Sequence, residues 1–125
     1  MKDFVHKVVN KLNGREKYVA THPDMKSIEG SGVMKKIRMN VKGKVQGVGF
    51  RYMTKMVADK IGIRGCVWNE DDGSVSIEAI GNEEQMDLFI RMIKTSPSPS
   101  GRVDHFEMNE DLEIEERQNF AVVYK

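Results

Sequence analysis

The sequence is short of several things that would widen its functional range. Cys66 is its only cysteine, so no internal disulfide forms and no thiolate cluster can hold a metal. No apolar run approaches the ~20 residues of a membrane-spanning helix. The stretch Phe4-Val5-His6-Lys7-Val8-Val9-Asn10 is broken by polar residues too soon for a signal peptide. Neither sign of charge is in excess: 20 Lys and Arg face 19 Asp and Glu, a formal net charge of +1. Residues 1–33 contribute +2, which leaves residues 34–125 at −1. A body so near neutral lacks the basic surface that a nucleic-acid backbone demands. His6, His22 and His105 are scattered, with no spacing that would bring two onto one metal ion. The expectation is a cytoplasmic monomer with no cofactor, no metal, no nucleic-acid partner and no membrane.

What is there suffices for one folded domain. The chain has 125 residues, 39% hydrophobic and 31% charged, enough to bury a single core. Residues 1–33 read as an appendage. Phe4, Val5, Val8, Val9 and Leu12 recur at helical spacing until Asn13-Gly14, and Glu29-Gly30-Ser31-Gly32 reads as a flexible linker. Met34, a second methionine, then opens residues 34–125. The first segment is open to three readings: a native extension, a start placed too early, or the remnant of a fusion.

Beyond Met34 the patterns sharpen. Ile37, Met39 and Val41 alternate with Arg38, Asn40 and Lys42, which predicts a half-buried strand. The glycines from Gly43 to Gly49 predict a loop. Phe50, Met53, Val57 and Ile61 line one face of a helix that stops at Gly62. Ile63–Trp68 reads as a strand, Asn69–Gly73 as a hairpin turn, and Val75, Ile77 and Ala79 as the returning strand. Asn82 and Gln85 predict a capping box on a second helix, whose buried stripe is Met86, Phe89, Ile90 and Ile93. Val103–Met108 and Phe120–Tyr124 read as closing strands, separated by a solvated acidic connection from Glu110 to Glu116. Strand, helix, strand, strand, helix, strand and one extra strand predict a ferredoxin-like α+β sandwich. Its expected form is an antiparallel sheet of about five strands with two helices on one face.

Two segments carry chemistry. In Gln46-Gly47-Val48-Gly49-Phe50-Arg51, glycines let backbone N–H groups approach a ligand, and the loop runs into a helix N-terminus where free N–H groups and the helix dipole favour an anion. Arg51 adds a forked cation suited to phosphate or carboxylate. Its charge opposes the dipole there, so it calls for an anion or a nearby acid. The second segment runs from Gly62 through Asn69 to Val75. Taken alone it is a hairpin, and Asn69 a turn former.

Together the segments resemble the acylphosphatase family. The first matches V-x-G-x-V-Q-G-V-x-F-R through Val41, Gly43, Val45, Gln46, Gly47, Val48, Phe50 and Arg51. The second matches G-x-x-G-x-V-x-N-x-x-D-G-x-V through Gly62, Gly65, Val67, Asn69, Asp72, Gly73 and Val75. The resemblance covers residues 34–125 with no departure at a motif position. It implies hydrolysis of an acyl phosphate, with Arg51 binding phosphate and Asn69 orienting water. Inorganic phosphate is then both product and inhibitor. The family-like domain also occurs inside larger maturation factors; with the chain ending at Lys125, a stand-alone enzyme is expected.

That chemistry suits the residues present. The leaving group of an acyl phosphate is a carboxylate, with a conjugate-acid pKa of roughly 4, so it departs without a general acid. Water can attack phosphorus directly, so no covalent nucleophile is needed. Two rivals on the same fold are a phosphate-anchored regulatory or interaction module without turnover, and an RNA-binding sheet. The presence of both Arg51 and Asn69 argues against the first. The second needs exposed aromatics on the central strands, where this sequence offers Arg38, Asn40, Lys42, Ser74, Ser76 and Glu78.

Overall fold

A computed structural model describes residues 33–125. The readings made on the amphipathic stretch Phe4 to Leu12 and on the Gly30-Ser31-Gly32 linker lie outside the described residues. Seven elements follow in order: β1 (Met34–Lys44), α1 (Phe50–Ile61), β2 (Arg64–Asn69), β3 (Val75–Asn82), α2 (Glu83–Lys94), β4 (Arg102–Glu110) and β5 (Phe120–Val122). The strands form one sheet in the order β4-β1-β3-β2-β5. Both helices pack on its inner face, α1 against β2 and β5, α2 against β1, β3 and β4. This is the ferredoxin-like α+β sandwich.

The alternation of β1 decides which face is which. Ile37, Met39 and Val41 are buried in the core with Val67, Val75 and Ile77, while Arg38 and Asn40 point to the other side. From the helices come Phe50, Met53 and Val57, and Met86, Phe89 and Met92, all nearly free of solvent. Each such side chain stabilises the fold by about 1.5–3 kcal/mol relative to exposure. The predicted capping box is present: Asn82 Oδ1 accepts from Gln85 N–H at 2.8 Å, and Gln85 Oε1 accepts from Asn82 N–H at 2.9 Å. Gly62 closes α1 by donating to the Ala58 carbonyl at 2.8 Å.

Beyond shifts of one or two residues at element ends, such as β1 reaching Lys44, β2 taking in Asn69 and β5 stopping at Val122, three details depart from the sequence reading. The sheet is mixed, because β5 pairs parallel to β2 whereas the other neighbours are antiparallel. The reason is topological. Residues 111–119 cross the sheet at the end where β4 finishes, so β5 must run back in the direction of β2. That crossing segment is also not simply solvated. Ile114 within it is buried, Asp111 accepts from Arg38, and Glu116 accepts from Arg64. Lastly, the buried stripe of α2 includes Leu88 and Met92, with Ile90 only partly buried.

Candidate active site

The loop between β1 and α1 holds the first candidate. Gly47 and Gly49 have φ of 75° and 78°, left-handed values that cost a side-chain-bearing residue free energy. Gly49 is the residue before α1, and no side chain caps the helix there. The first helical bond at this end is Met53 N–H to the Gly49 carbonyl at 3.1 Å. The N–H groups of Phe50, Arg51 and Tyr52 therefore have no acceptor in the preceding turn. No acidic side chain stands in the first turn, and among the described residues Arg51 forms no ion pair. Instead its guanidinium lies over the Tyr124 ring, 5.4 Å from the centroid. The uncompensated cation and the free N–H groups face the same end of α1, an arrangement suited to an anion.

A cleft of about 320 Å³ opens beside them, lined by Val45, Gly47, Gly49, Phe50, Arg51, Tyr52, Val122 and Tyr124. Of the predicted cradle, Gln46 and Val48 do not line it. Their roles in the loop are different. Gln46 Nε2 donates to the carbonyls of Glu70 and Ser74, both at 2.9 Å. Val48 offers its carbonyl at 2.6 Å to the Oγ–H of Ser98, a buried serine in the loop between α2 and β4. A larger cleft, about 400 Å³, lies at the opposite end of β2 beside Met34, Ile63 and Arg64. Its cation is already engaged: Arg64 donates to Glu116 and to the Arg117 carbonyl.

Asn69 ends β2. Along that strand Val67 belongs to the core and Cys66 faces the outer side, so alternation puts Asn69 on the helix side of the sheet, the side that carries Arg51. Its Oδ1 is buried and has no hydrogen-bond partner among the described residues. Buried acceptors of this kind are uncommon, and each costs about 1–3 kcal/mol when unsatisfied. The last pair of β2 and β5 is Val67 with Val122, and two residues beyond it stand Asn69 and Tyr124. Tyr124, whose ring lies against Arg51, thus stands just beyond the strand that neighbours β2. Asn69 itself does not line the cleft.

The hairpin that carries Asn69 is closed by its own bonds. Glu70 N–H reaches the Ser74 carbonyl at 2.9 Å, and Asp72 Oδ1 accepts from Ser74 N–H at 2.9 Å and Oγ–H at 2.6 Å. Those two Ser74 bonds hold the Asp72 carboxyl below its ordinary range. On the outer face Asn40 donates to Ser74 Oγ and Ser76 Oγ, and Ser76 donates to Glu70. Trp68, on the same face, is buried with the Lys125 ammonium 3.9 Å from its ring centroid. Among the described residues the outer face therefore offers no open aromatic platform for base stacking. Cys66 is buried, and burial together with the Glu78 carboxylate raises its thiol pKa, so it is a poor nucleophile.

Comparison with known proteins shows the family. Residues 37–122 match the family model Acylphosphatase. The chain belongs to the acylphosphatase family. An acylphosphatase of Enterococcus faecalis is 61% identical over 90 residues, which span 72% of this chain and 99% of that protein. One from Lactobacillus gasseri is 50% identical over 91 residues, 73% of this chain and 100% of the relative. In structure, the chain is similar to the acylphosphatase of Bacillus subtilis, with a TM-score of 0.68 and 39% identity over 74% of this chain and 100% of that one. It is also similar to part of full-length HypF in its phosphate- and nucleotide-bound form: TM-score 0.67, 33% identity, 74% of this chain but 12% of the longer one. Membership makes the chain a hydrolase of acyl phosphates.

Sequence reasoning missed Tyr124 and Ser98. A tyrosine beyond the last strand gives a weak signal, and nothing local in Ser96-Pro97-Ser98 announces a bond to Val48.

Proposed function

We propose that Arg51 and the backbone N–H groups at the start of α1 hold the phosphoryl group of an acyl phosphate while Asn69 orients the attacking water. The observation that carries this reading is the helix N-terminus beside Arg51, which no side chain caps and where left-handed Gly47 and Gly49 leave the backbone N–H groups accessible. The buried Oδ1 of Asn69 accepts a hydrogen bond from the water and leaves the water's lone pair free for phosphorus. As the oxygen–phosphorus bond forms, the bond from phosphorus to the acyl oxygen breaks. Its electron pair leaves on the carboxylate, which needs no proton. Both water hydrogens are carried by the new phosphate. The protein contributes position and charge stabilisation, the two demands of phosphoryl transfer.

The same reading makes inorganic phosphate a competitive inhibitor and needs no metal. Among the described residues no three His, Cys, Asp or Glu side chains are grouped to hold an ion. It also takes the enzyme to be a cytoplasmic monomer in which residues 34–125 suffice for catalysis. The direct test is release of phosphate from a generic acyl phosphate, such as benzoyl phosphate, before and after dialysis against a strong chelator. Equal turnover is expected in both. Loss that added magnesium or zinc restores would overturn the metal-free mechanism, and no release at all would overturn the reaction.

A further inference from the structure

We propose that Gln46 is a positioning residue whose side chain sets the distance between the phosphate cradle and Asn69. The inference rests on the roles just given to Arg51 and Asn69. Gln46 opens the cradle loop, yet its amide turns away from the cleft and bridges the mouth of the neighbouring hairpin. Its Nε2 reaches the carbonyl of Glu70, the residue after Asn69, and that of Ser74, the residue before β3, at 2.9 Å each. One amide therefore uses both its hydrogens on the two chain segments that flank the water-holding side chain.

The hairpin does not need this clamp in order to close. Its own backbone bond from Glu70 to Ser74, its Asp72–Ser74 bonds and the Ser76–Glu70 bond already do so. What Gln46 adds is a connection from the hairpin to the loop of residues 46–49. A second side-chain tie of that loop, Ser98 to the Val48 carbonyl, leads to the α2–β4 loop and has no bearing on Asn69. Gln46 is thus a direct hydrogen-bonded link between the loop that would hold phosphorus and the hairpin that carries the water-holding side chain. An in-line attack is sensitive to that separation: a displacement of about 1 Å can cost ~10²-fold in rate.

The residue type fits this task. Two carbonyl oxygens face the amide, so it must be a donor twice over and carry no negative charge. Glutamate would set a carboxylate against both carbonyls, and asparagine would fall short by one methylene.

The test compares Gln46→Met, which keeps length but has no N–H, with the parent, each with Asn69 intact and as Asn69→Ala. Turnover of benzoyl phosphate and inhibition by inorganic phosphate are measured for all four. With Asn69 present, Gln46→Met should lower kcat by ~10–100-fold while phosphate inhibition changes by less than ~3-fold. With Asn69→Ala, the same substitution should cost less than ~2-fold, because there is no water-holding group left to misplace. Equal losses in both backgrounds would overturn the proposal, as would phosphate inhibition weakening in step with kcat. If Gln46→Met does not fold, Gln46→Asn takes its place, with the same non-additivity expected. In the unaltered protein the Gln46 side-chain amide protons should exchange slowly with solvent, and fast exchange would also overturn the clamp. A parent that releases no phosphate, or an Asn69→Ala variant as active as the parent, would instead remove the reading on which the proposal rests.

Discussion

The Arg51 guanidinium lies 5.4 Å from the centroid of the Tyr124 ring, and no carboxylate among the described residues pairs with it. A ring face holds a cation in place without neutralising it. A carboxylate partner would do both, and would have to be displaced by every phosphate that bound. The stacking therefore orients Arg51 without supplying a counter-charge that an incoming anion would have to displace.

Removing the ring should weaken binding more than chemistry. Contacts of this kind at exposed sites are worth about 0.5–1 kcal/mol, so Tyr124→Ala should raise KM and the phosphate inhibition constant by about 2–5-fold. Tyr124→Phe keeps the ring face and should behave like the parent. Steady-state kinetics of the two variants check this, and equal defects would shift the role to the Tyr124 hydroxyl.

Asn69→Ala removes the proposed contact with the water and leaves Arg51 and the backbone N–H groups at the start of α1 intact. Both kcat and kcat/KM should fall together, by at least ~10²-fold, with KM and phosphate inhibition little changed. Asn69→Asp keeps an oxygen acceptor but adds a negative charge facing the phosphoryl anion. It should be folded and nearly inactive. Parental turnover by a folded Asp variant would take Asn69 out of the mechanism.

Stability should fall in acid for a reason visible on the outer face. Glu113 N–H and then the Arg38 side chain hold the Asp111 carboxyl below its ordinary 3.8. A group depressed by folding contributes fully above its unfolded value and loses that contribution as pH falls through the lower folded value. Asp111→Asn should therefore flatten the loss of melting temperature below about pH 4. An unchanged acid limb would assign it to other carboxylates, such as Glu116 beside Arg64.

A chain trimmed to begin at Met34 should retain fold and turnover, since both motifs lie after that residue, as does the core formed by the described residues. Melting temperature is the check. A drop of about 4–8 °C corresponds to ~1 kcal/mol in a domain of this size and would mean that the first 33 residues contribute to stability.

The features legible in the amino-acid sequence are the local ones. The strand of Ile37, Met39 and Val41, the helix from Phe50 to Ile61, and the Asn82–Gln85 capping box are written in short-range periodicity and hydrogen bonds. The parallel pairing of β5 and the burial of Ile114 are not local. They follow from where residues 111–119 cross the sheet, and a single isoleucine among acids does not reveal that its neighbours will bind Arg38 and Arg64. The site divides the same way. Glycine conformation and helix-end position are readable at Gly47, Gly49 and Arg51. The side-chain bonds of Gln46 and Ser98 join residues 24 to 50 positions apart and leave no periodic trace.

Titration of ¹⁵N-labelled protein with inorganic phosphate tests the central claim most directly, because it locates the anion rather than inferring it from rates. The amide signals of Gly47 to Tyr52 should move together and saturate. In Arg51→Gln, which keeps a hydrogen-bonding side chain but loses the charge and some of its reach, the same titration should need at least ~10-fold more phosphate, and turnover should fall by ~10²–10³. Saturable shifts centred elsewhere, or an unchanged affinity in Arg51→Gln, would contradict the assignment of the cradle.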